Sequence, residues 1–209
     1  MEMGINNYSA YDVVNTLDEK YLSSIIKNLG DEKDGKFIAK KIVKCRAKRP
    51  IKTSKELASI ISEAKKNYNN YKKNPATKTF QAIRIFVNHE LTELIQGLIK
   101  ATKILKNNGI LIVVSFHSLE DKIVKYFFNI YSNLKKNPSR YLPLERDKKP
   151  LFNLLSKKPL TPDKKEIEKN IKSRSAKLRY AVRNNNAYFF SEDFNKKFSN
   201  YFKLQEVRL

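Results

Sequence analysis

Residues 110–121, with the sequence ILIVVSFHSLED, hold the pattern that decides the fold. The first five of these residues are aliphatic and show no polar alternation. Such a run predicts a central strand of a parallel sheet, buried on both faces. Ser118 and Asp121 then have the spacing of a capping box, which predicts that a helix begins there. A strand, a tight turn and a helix in this order are typical of the doubly wound sheets of α/β proteins.

The residues before this strand predict one long helix. Apolar residues recur there at intervals of three and four: Phe80, Ile83, Val87, Leu91, Leu94, Leu98, Ala101 and Leu105. This spacing places them on one face of a helix of about seven turns. Residues 107–109 tolerate a left-handed backbone conformation, which would end this helix. His89 would lie inside this helix in a packing or surface role, and Arg84 and Asn88 would lie on a solvated face.

The first third of the chain predicts a small all-helical unit. Residues 8–28 look helical but polar, and residues 37–43 begin an amphipathic helix that Pro50 ends. Thr53 can cap a further helix, with Glu56 three residues on.

Loops and a second strand are predicted elsewhere. Residues 65–75 and 138–162 have the composition of loops. Residues 164–169 predict a short helix, and residues 175–182 alternate as a strand with one polar face does. The tail from Asn184 is expected to be a helix docked on the outside.

Composition excludes several classes of protein. A chain of 209 residues with 12 Phe and 11 Tyr can bury a real core. The single cysteine, Cys45, excludes a disulfide framework, and with only two histidines we expect no metal site. No apolar run is long enough to span a bilayer, and no signal peptide is evident at the start. We therefore expect a soluble, cytoplasmic protein with no membrane partner.

Glycine is scarce, which bears on cofactor binding. There are five glycines, and no two lie closer than five positions apart. A backbone that wraps the phosphates or ribose of a cofactor usually needs clustered glycines at a strand-to-helix turn. The chain has no such cluster, so we expect no cofactor-binding loop in it.

Positive charge is concentrated in two stretches. The net charge is +22, and residues 36–55 hold nine basic residues and no acidic one. Residues 164–183 hold eight basic and two acidic residues. Such an excess favours binding to RNA or DNA, although a proteome rich in Lys, Asn and Ile would also produce it. The candidates for phosphate contact are Arg46, Lys48, Arg49, Lys52, Arg174, Lys177, Arg179 and Arg183.

The turn after the predicted strand is the candidate site. Ligands of open α/β sheets bind beyond the carboxyl ends of the strands, where His117 could donate a hydrogen bond or accept a proton. The alternative is purely structural: Ser118 caps the helix, Asp121 completes the capping box, and His117 packs the turn.

Three long segments together resemble a known family. They are residues 74–91 (NPATKTFQAIRIFVNHEL), residues 115–125 (SFHSLEDKIVK) and residues 173–179 (SRSAKLR), with looser similarity at 37–57 and 157–162. In order and spacing they resemble signatures of the bacterial 16S ribosomal RNA (cytosine-N4)-methyltransferases, the MraW (RsmH) family. The tail from Asn184 extends beyond the resemblance.

The resemblance implies a fold and a reaction. It implies part of a Rossmann-like methyltransferase sheet, preceded by an all-helical insertion domain. Residues 1–72 would be most of the insertion, residues 73–183 the C-terminal half of the methyltransferase domain, and residues 184–209 an extra tail. The family transfers a methyl group from S-adenosylmethionine to N4 of a cytidine in 16S rRNA of the small ribosomal subunit.

The chain also departs from the family. The family's Gly-rich S-adenosylmethionine loop and the two acidic strand ends that follow it are absent. We therefore expect a C-terminal portion that binds no cofactor and is inactive without a separate N-terminal half. His117, Ser118 and Glu120 would then form one rim of the pocket, with the catalytic residues unassigned. The alternatives are a non-catalytic RNA- or ribosome-binding remnant and the product of a decaying gene.

Overall fold

Helices make up the first part of the chain, and a short sheet with helices makes up the second. A computed structural model describes residues 8–65, 74–132 and 149–206. The chain divides into two units, residues 1–90 with 200–209 and residues 91–199. The expected domain boundary after residue 72 lies outside the described residues, as does most of the expected loop 65–75.

The first unit is helical, as expected. Its helices are α1 (Ala10–Thr16), α2 (Glu19–Gly30), α3 (Gly35–Arg46), α4 (Ser54–Ala64) and α5 (Thr77–Val87). Residues 8–28 are largely helical, as expected, but they form two helices, because the extended backbone of Leu17 separates α1 from α2. Both helices bury aliphatic residues in the core, among them Val13, Leu22 and Ile25. The cap at Thr53 is confirmed: its side chain accepts a hydrogen bond from the Glu56 N–H at 3.1 Å.

A glycine permits the close packing of α2 on α5. A Cβ at Gly30 would lie 2.6 Å from the carbonyl oxygen of Lys78. That distance is too short for any side chain, so α2 ends with bare backbone against α5. The next residue, Asp31, has a φ of 48° and ends the helix in the left-handed conformation.

The single long helix expected over residues 80–105 is wrong. The chain forms α5 and then α6 (Glu90–Ile104), and His89 between them has a φ of 54°. A left-handed residue cannot continue a right-handed helix, so the hydrogen-bond ladder stops there. The Glu90 carboxylate accepts hydrogen bonds from Arg84 Nε at 2.8 Å and from Asn88 Nδ2 at 3.2 Å, which holds the break together.

The second unit contains a sheet of three antiparallel strands. They are β1 (Ile110–Ser115), β2 (Phe152–Asn153) and β3 (Lys177–Arg183), in the order β1-β3-β2. Besides α6, the unit holds α7 (Ser118–Tyr131), α8 (Lys164–Lys169), a 3₁₀ turn (Ile171–Ser175) and the first part of α9 (Glu192–Gln205). The predicted strand over 175–182 and the short helix over 164–169 are confirmed. Within the described residues, β1 pairs with β3 in the antiparallel sense, so the expected parallel pairing is not found there.

Aromatic residues form the core of this unit. The Phe127 ring lies 4.7 Å from that of Tyr131 and 5.3 Å from that of Phe194, measured between centroids. Phe128 and Phe152 complete the cluster. Phe194 belongs to the C-terminal tail and is buried, so this helix contributes to the core, whereas we expected it on the outside.

Candidate functional site

His117 lies just beyond the carboxyl end of β1 and caps the N-terminus of α7. Its Nδ1 accepts a hydrogen bond from the Glu120 N–H at 3.3 Å. The Glu120 carboxylate in turn accepts from the N–H groups of Phe116, at 2.8 Å, and of His117, at 3.2 Å. These reciprocal bonds form a capping box that fixes the turn.

The capping pair is displaced by one residue from the expected one. Ser118 is the first helical residue and is exposed, and the pair that caps the helix is His117 with Glu120. The sequence pattern favours Ser118 because serine is the commoner cap, whereas imidazole can serve through an unprotonated nitrogen. The turn presents two side chains to solvent, the Ser118 hydroxyl and the Phe116 ring, which is 55% exposed.

Asp121 has a different role from the capping one expected. Its carboxylate accepts hydrogen bonds from Arg179 Nε at 2.7 Å and from Lys177 Nζ at 3.0 Å. Burial alone would raise the pKa of Asp121, but the hydrogen bonds and charges of Arg179 and Lys177 outweigh it. The pKa therefore lies below its ordinary value, and the carboxylate is charged at neutral pH. This contact fastens β3 to α7 directly behind the candidate turn.

Three of the candidate phosphate contacts, Arg46, Arg179 and Arg183, are engaged inside the protein. Arg46 Nη1 donates to the Val14 carbonyl at 2.8 Å and its Nη2 donates to the Leu17 carbonyl, so it caps the end of α1. Desolvation lowers the pKa of Arg46. Arg179, besides binding Asp121, donates to the Lys157 carbonyl and is 8% exposed. Arg183 is 7% exposed and donates from Nη1 to the Leu151 carbonyl at 3.2 Å and from Nη2 to the Asn186 carbonyl at 2.8 Å. All three guanidinium groups thus have structural partners. Lys177 is shared between Asp121 and solvent.

The other candidates lie on the surface. Lys48, Arg49, Lys52 and Arg174 are exposed, and the Arg49 side chain forms an exposed ion pair with Glu56 at 3.1 Å. Sequence reasoning did not single out a column of lysines on α3, one turn apart: Lys36, Lys40 and Lys44. The i, i+4, i+8 spacing of these lysines in the sequence could have revealed the column, because it places cations on one helix face over about 12 Å.

The sheet also has an exposed apolar face that the sequence analysis did not predict. Its cross-strand pairs are Ile110 with Val182, Ile112 with Tyr180 and Val114 with Leu178. Residues directly opposite each other point to the same side of a sheet. Ile112 is 58% exposed, so the expectation that both faces of β1 are buried is wrong. The charged side chains of Lys177 and Arg179 lie on the other face, toward α7.

The described glycines do not form a cradle for S-adenosylmethionine. Gly30 ends α2 and Gly35 begins α3, Gly97 lies within α6, and Gly109 packs against Leu105 before β1. None of them opens a helix after a strand, where the backbone could approach a nucleoside closely. The described residues therefore do not fit the cofactor by themselves. None of the helices in the described parts of the chain has the length and apolar character needed to cross a membrane.

Helices combined with a short sheet make this a mixed α/β protein, and its strand-end turn carries the FHSLED sequence. The model of the MraW methylase family matches residues 1–184. The chain belongs to the MraW methylase family.

Curated relatives agree with this assignment. The chain is 45% identical over 186 residues to the ribosomal RNA small subunit methyltransferase H of Hyphomonas neptunium, covering 88% of this chain and 54% of that protein. It is 49% identical over 173 residues to the protein of the same name from Caldicellulosiruptor saccharolyticus, covering 83% of this chain and 56% of that protein. The chain thus spans about half the length of the curated relatives it matches.

Proposed function

We propose that this chain is one part of an enzyme that methylates N4 of a cytidine in 16S rRNA of the small ribosomal subunit. The observation that carries the proposal is the family match, which extends over residues 1–184 and includes the strand-end turn. The named relatives are ribosomal RNA small subunit methyltransferases. S-adenosylmethionine would supply the methyl group, and the half of the family protein that this chain does not span would hold it.

The exocyclic amine of cytosine is a poor nucleophile because its lone pair is delocalised into the ring. An enzyme can assist by fixing the amine in line with the methyl carbon and by providing an acceptor for the departing proton. The turn at the end of β1 suits the first task, since reciprocal hydrogen bonds fix its backbone. In the proposal His117, Ser118 and Glu120 form one rim of the cytidine pocket. Because Glu120 is occupied by two backbone N–H groups, its role there is to hold the turn.

RNA contact would come from the exposed cations. Lys48, Arg49, Lys52 and Arg174 are exposed and could face a phosphate backbone, Arg49 by exchanging its surface ion pair with Glu56. The lysine column of α3 adds to them. Arg46, Arg179 and Lys177 would act indirectly, by holding α1 and β3 in place.

The partner we propose is the remaining half of a family methyltransferase. The exposed side chains of Ile110, Ile112 and Val114 support this, because an apolar sheet face of this kind is usually covered. On the described residues, the outer edge of β1 also has no neighbouring strand, and such an edge can accept another. We infer that the chain is inactive on its own and that the other half covers this face and edge.

A complementation assay tests the proposal. The unmatched half of the Caldicellulosiruptor saccharolyticus relative is produced as a separate polypeptide and mixed with this chain, S-adenosylmethionine carrying a labelled methyl group, and small ribosomal subunits. We expect N4-methylcytidine in the digested 16S rRNA only when both polypeptides are present. Stable association of the two polypeptides without any methyl transfer would contradict the proposed reaction.

The alternative is a non-catalytic protein that binds RNA or the ribosome. The exposed cations, and the lack of a glycine cradle among the described residues, are compatible with it. Binding to small subunits that is unchanged by the second polypeptide, with no methylation, favours this alternative.

A further inference from the structure

The first unit contains a cavity that the proposed reaction does not use. It has a volume of about 210 Å³ and lies between α1, the segment before α4, and α5. Apolar residues line it, among them Val14, Leu57 and Ile83, together with the aromatic residues Tyr11 and Phe80. Lys52, Thr53 and Ser54 also line it. The lining is therefore mainly apolar, with a cation and two hydroxyl-bearing residues.

Hydrogen bonds hold the walls of this cavity in place. The Asn15 side chain donates from Nδ2 to the Ile51 carbonyl at 3.0 Å and accepts from the Ile51 N–H at 2.9 Å. This amide thus pairs with the backbone of the 50–53 segment as a neighbouring strand would. Asn15 Nδ2 also donates to the Tyr11 carbonyl at 2.9 Å, and Arg46 fixes the end of α1. These hydrogen bonds tie the two sides of the cavity together.

Size and surroundings restrict the ligand. Sites for drug-sized molecules have volumes of roughly 300–1,000 Å³, so this cavity suits a single small ring system. Lys52 contributes a cation, and Lys48 and Arg49 lie exposed just before it in the chain. A ligand that joins a flat ring to a chain of negative charges satisfies both features. Unpaired bases of RNA are recognised in this way, by insertion against aromatic side chains beside cations.

The geometry points to a pocket for one unpaired base of single-stranded RNA, with the neighbouring phosphates on Lys52, Arg49 and Lys48. This inference rests on the proposed function only in taking RNA as the polyanion. The base in this pocket is a contact outside the turn at the end of β1. The pocket therefore contributes to substrate binding, with Tyr11 as the stacking residue.

The chain contains no tryptophan, so a Tyr11→Trp variant carries a single fluorescent reporter at the pocket. The variant is titrated with a 12-nucleotide oligocytidine, and separately with an abasic 12-mer that has the same sugars and phosphates. Binding of each oligonucleotide is followed independently by the anisotropy of a terminal dye. We expect the oligocytidine to quench the Trp emission and the abasic strand to bind without quenching. A Tyr21→Trp variant is the control, because Tyr21 is 43% exposed but does not line the cavity.

A second variant measures the contribution of the ring. Tyr11→Ala should lower the affinity for oligocytidine by at least about fivefold and leave the affinity for the abasic strand unchanged. Equal quenching by both strands, or oligocytidine binding without quenching at residue 11, overturns the pocket while the proposed function stands. Absence of all RNA binding would overturn the pocket and the RNA contacts of the proposed function together. Methylation that persists in the complementation assay would then show that the reaction itself is unaffected.

Discussion

Arg179 on β3 donates a hydrogen bond from Nε to Oδ1 of Asp121 on α7, at 2.7 Å. The side chains are 8% and 12% exposed, so the ion pair is largely removed from water. One partner of this ion pair lies next to the candidate turn. Glu120 accepts hydrogen bonds from the backbone before α7, and Asp121 is the next residue. The strand that carries the apolar face is thereby attached to the helix that begins at the site.

Asp121→Asn should destabilise the protein. The amide keeps the shape of the carboxylate but leaves the buried Arg179 charge without a counter-ion, which costs about 3 kcal/mol in comparable buried pairs. The measurement is the free energy of unfolding from urea titration followed by circular dichroism. Glu192→Gln is the matched control, because Glu192 pairs with Lys196 on an exposed surface, and we expect a change of less than about 1 kcal/mol. Equal effects of the two substitutions would refute the assignment.

The contribution of Asp121 should depend on pH. Its folded-state pKa lies below the ordinary value of about 3.9, so folding favours the charged form. The stabilisation is then fully present above the unfolded-state pKa and is lost as pH falls through the folded-state pKa. We expect the difference in unfolding free energy between the natural chain and Asp121→Asn to be constant from about pH 5 to pH 7. It should shrink below about pH 4, and a constant difference down to pH 2 would contradict this prediction.

Neutralising one partner of a buried ion pair in the first unit should also destabilise the protein. Lys65 Nζ donates to Glu32 Oε2 and to the Pro75 carbonyl, with side chains 2% and 6% exposed for Lys65 and Glu32. Glu32→Gln should cost about 3 kcal/mol of unfolding free energy. The double variant Glu32→Leu with Lys65→Met should be more stable than Glu32→Gln alone, because no buried charge remains. Glu63→Gln, which breaks the more exposed pair with Lys41, is the control and should change stability by less than about 1 kcal/mol.

Local features can be predicted from the sequence more reliably than pairing. The helix cap at Thr53, α8 and the strand at β3 depend on a few neighbouring residues and are confirmed. The antiparallel pairing of β1 depends on β3, some 60 residues later, which a local pattern does not contain. An aliphatic run predicts a doubly buried strand, although Ile110, Ile112 and Val114 are exposed in this chain. A periodic pattern does not reveal which neighbour covers each face.

The sequence predicts the candidate turn at the end of a strand, and the structure has it there. The sequence does not reveal the roles of the residues within the turn. Which residue caps the helix depends on backbone angles at His117, and Ser118 has the better intrinsic preference for capping. The partner of Asp121 is equally inaccessible to local reasoning, because Arg179 is 58 residues away. Charge counting cannot separate Arg46 and Arg179, which bind inside the protein, from exposed cations.

The exposed basic residues before α4 should determine the salt dependence of RNA binding. Replacing Lys48, Arg49 and Lys52 together by Ser should reduce the slope of log affinity against log salt by about 2, since each phosphate that the protein neutralises on a single strand adds about 0.7 to that slope. The measurement is the anisotropy of a dye-labelled single-stranded RNA between about 50 and 300 mM salt, a range chosen because binding is strongly salt-dependent there. The control removes the same charge from exposed residues of the same unit outside the candidate set: Lys20, Lys27 and Lys33. If both triple variants lower the slope equally, only net charge matters and the surface is not specific.

The break between α5 and α6 should depend on the backbone of His89. With a φ of 54°, this residue occupies the left-handed region, which asparagine tolerates and β-branched residues strongly disfavour. His89→Asn and His89→Val both remove the imidazole and its 3.4 Å contact with the Tyr8 hydroxyl. The difference in unfolding free energy between the two variants therefore measures the cost of the left-handed backbone at residue 89. We expect His89→Val to be less stable than His89→Asn by about 1–2 kcal/mol in urea unfolding. Equal stabilities would mean that the two helices can join into the single long one that their apolar period predicts.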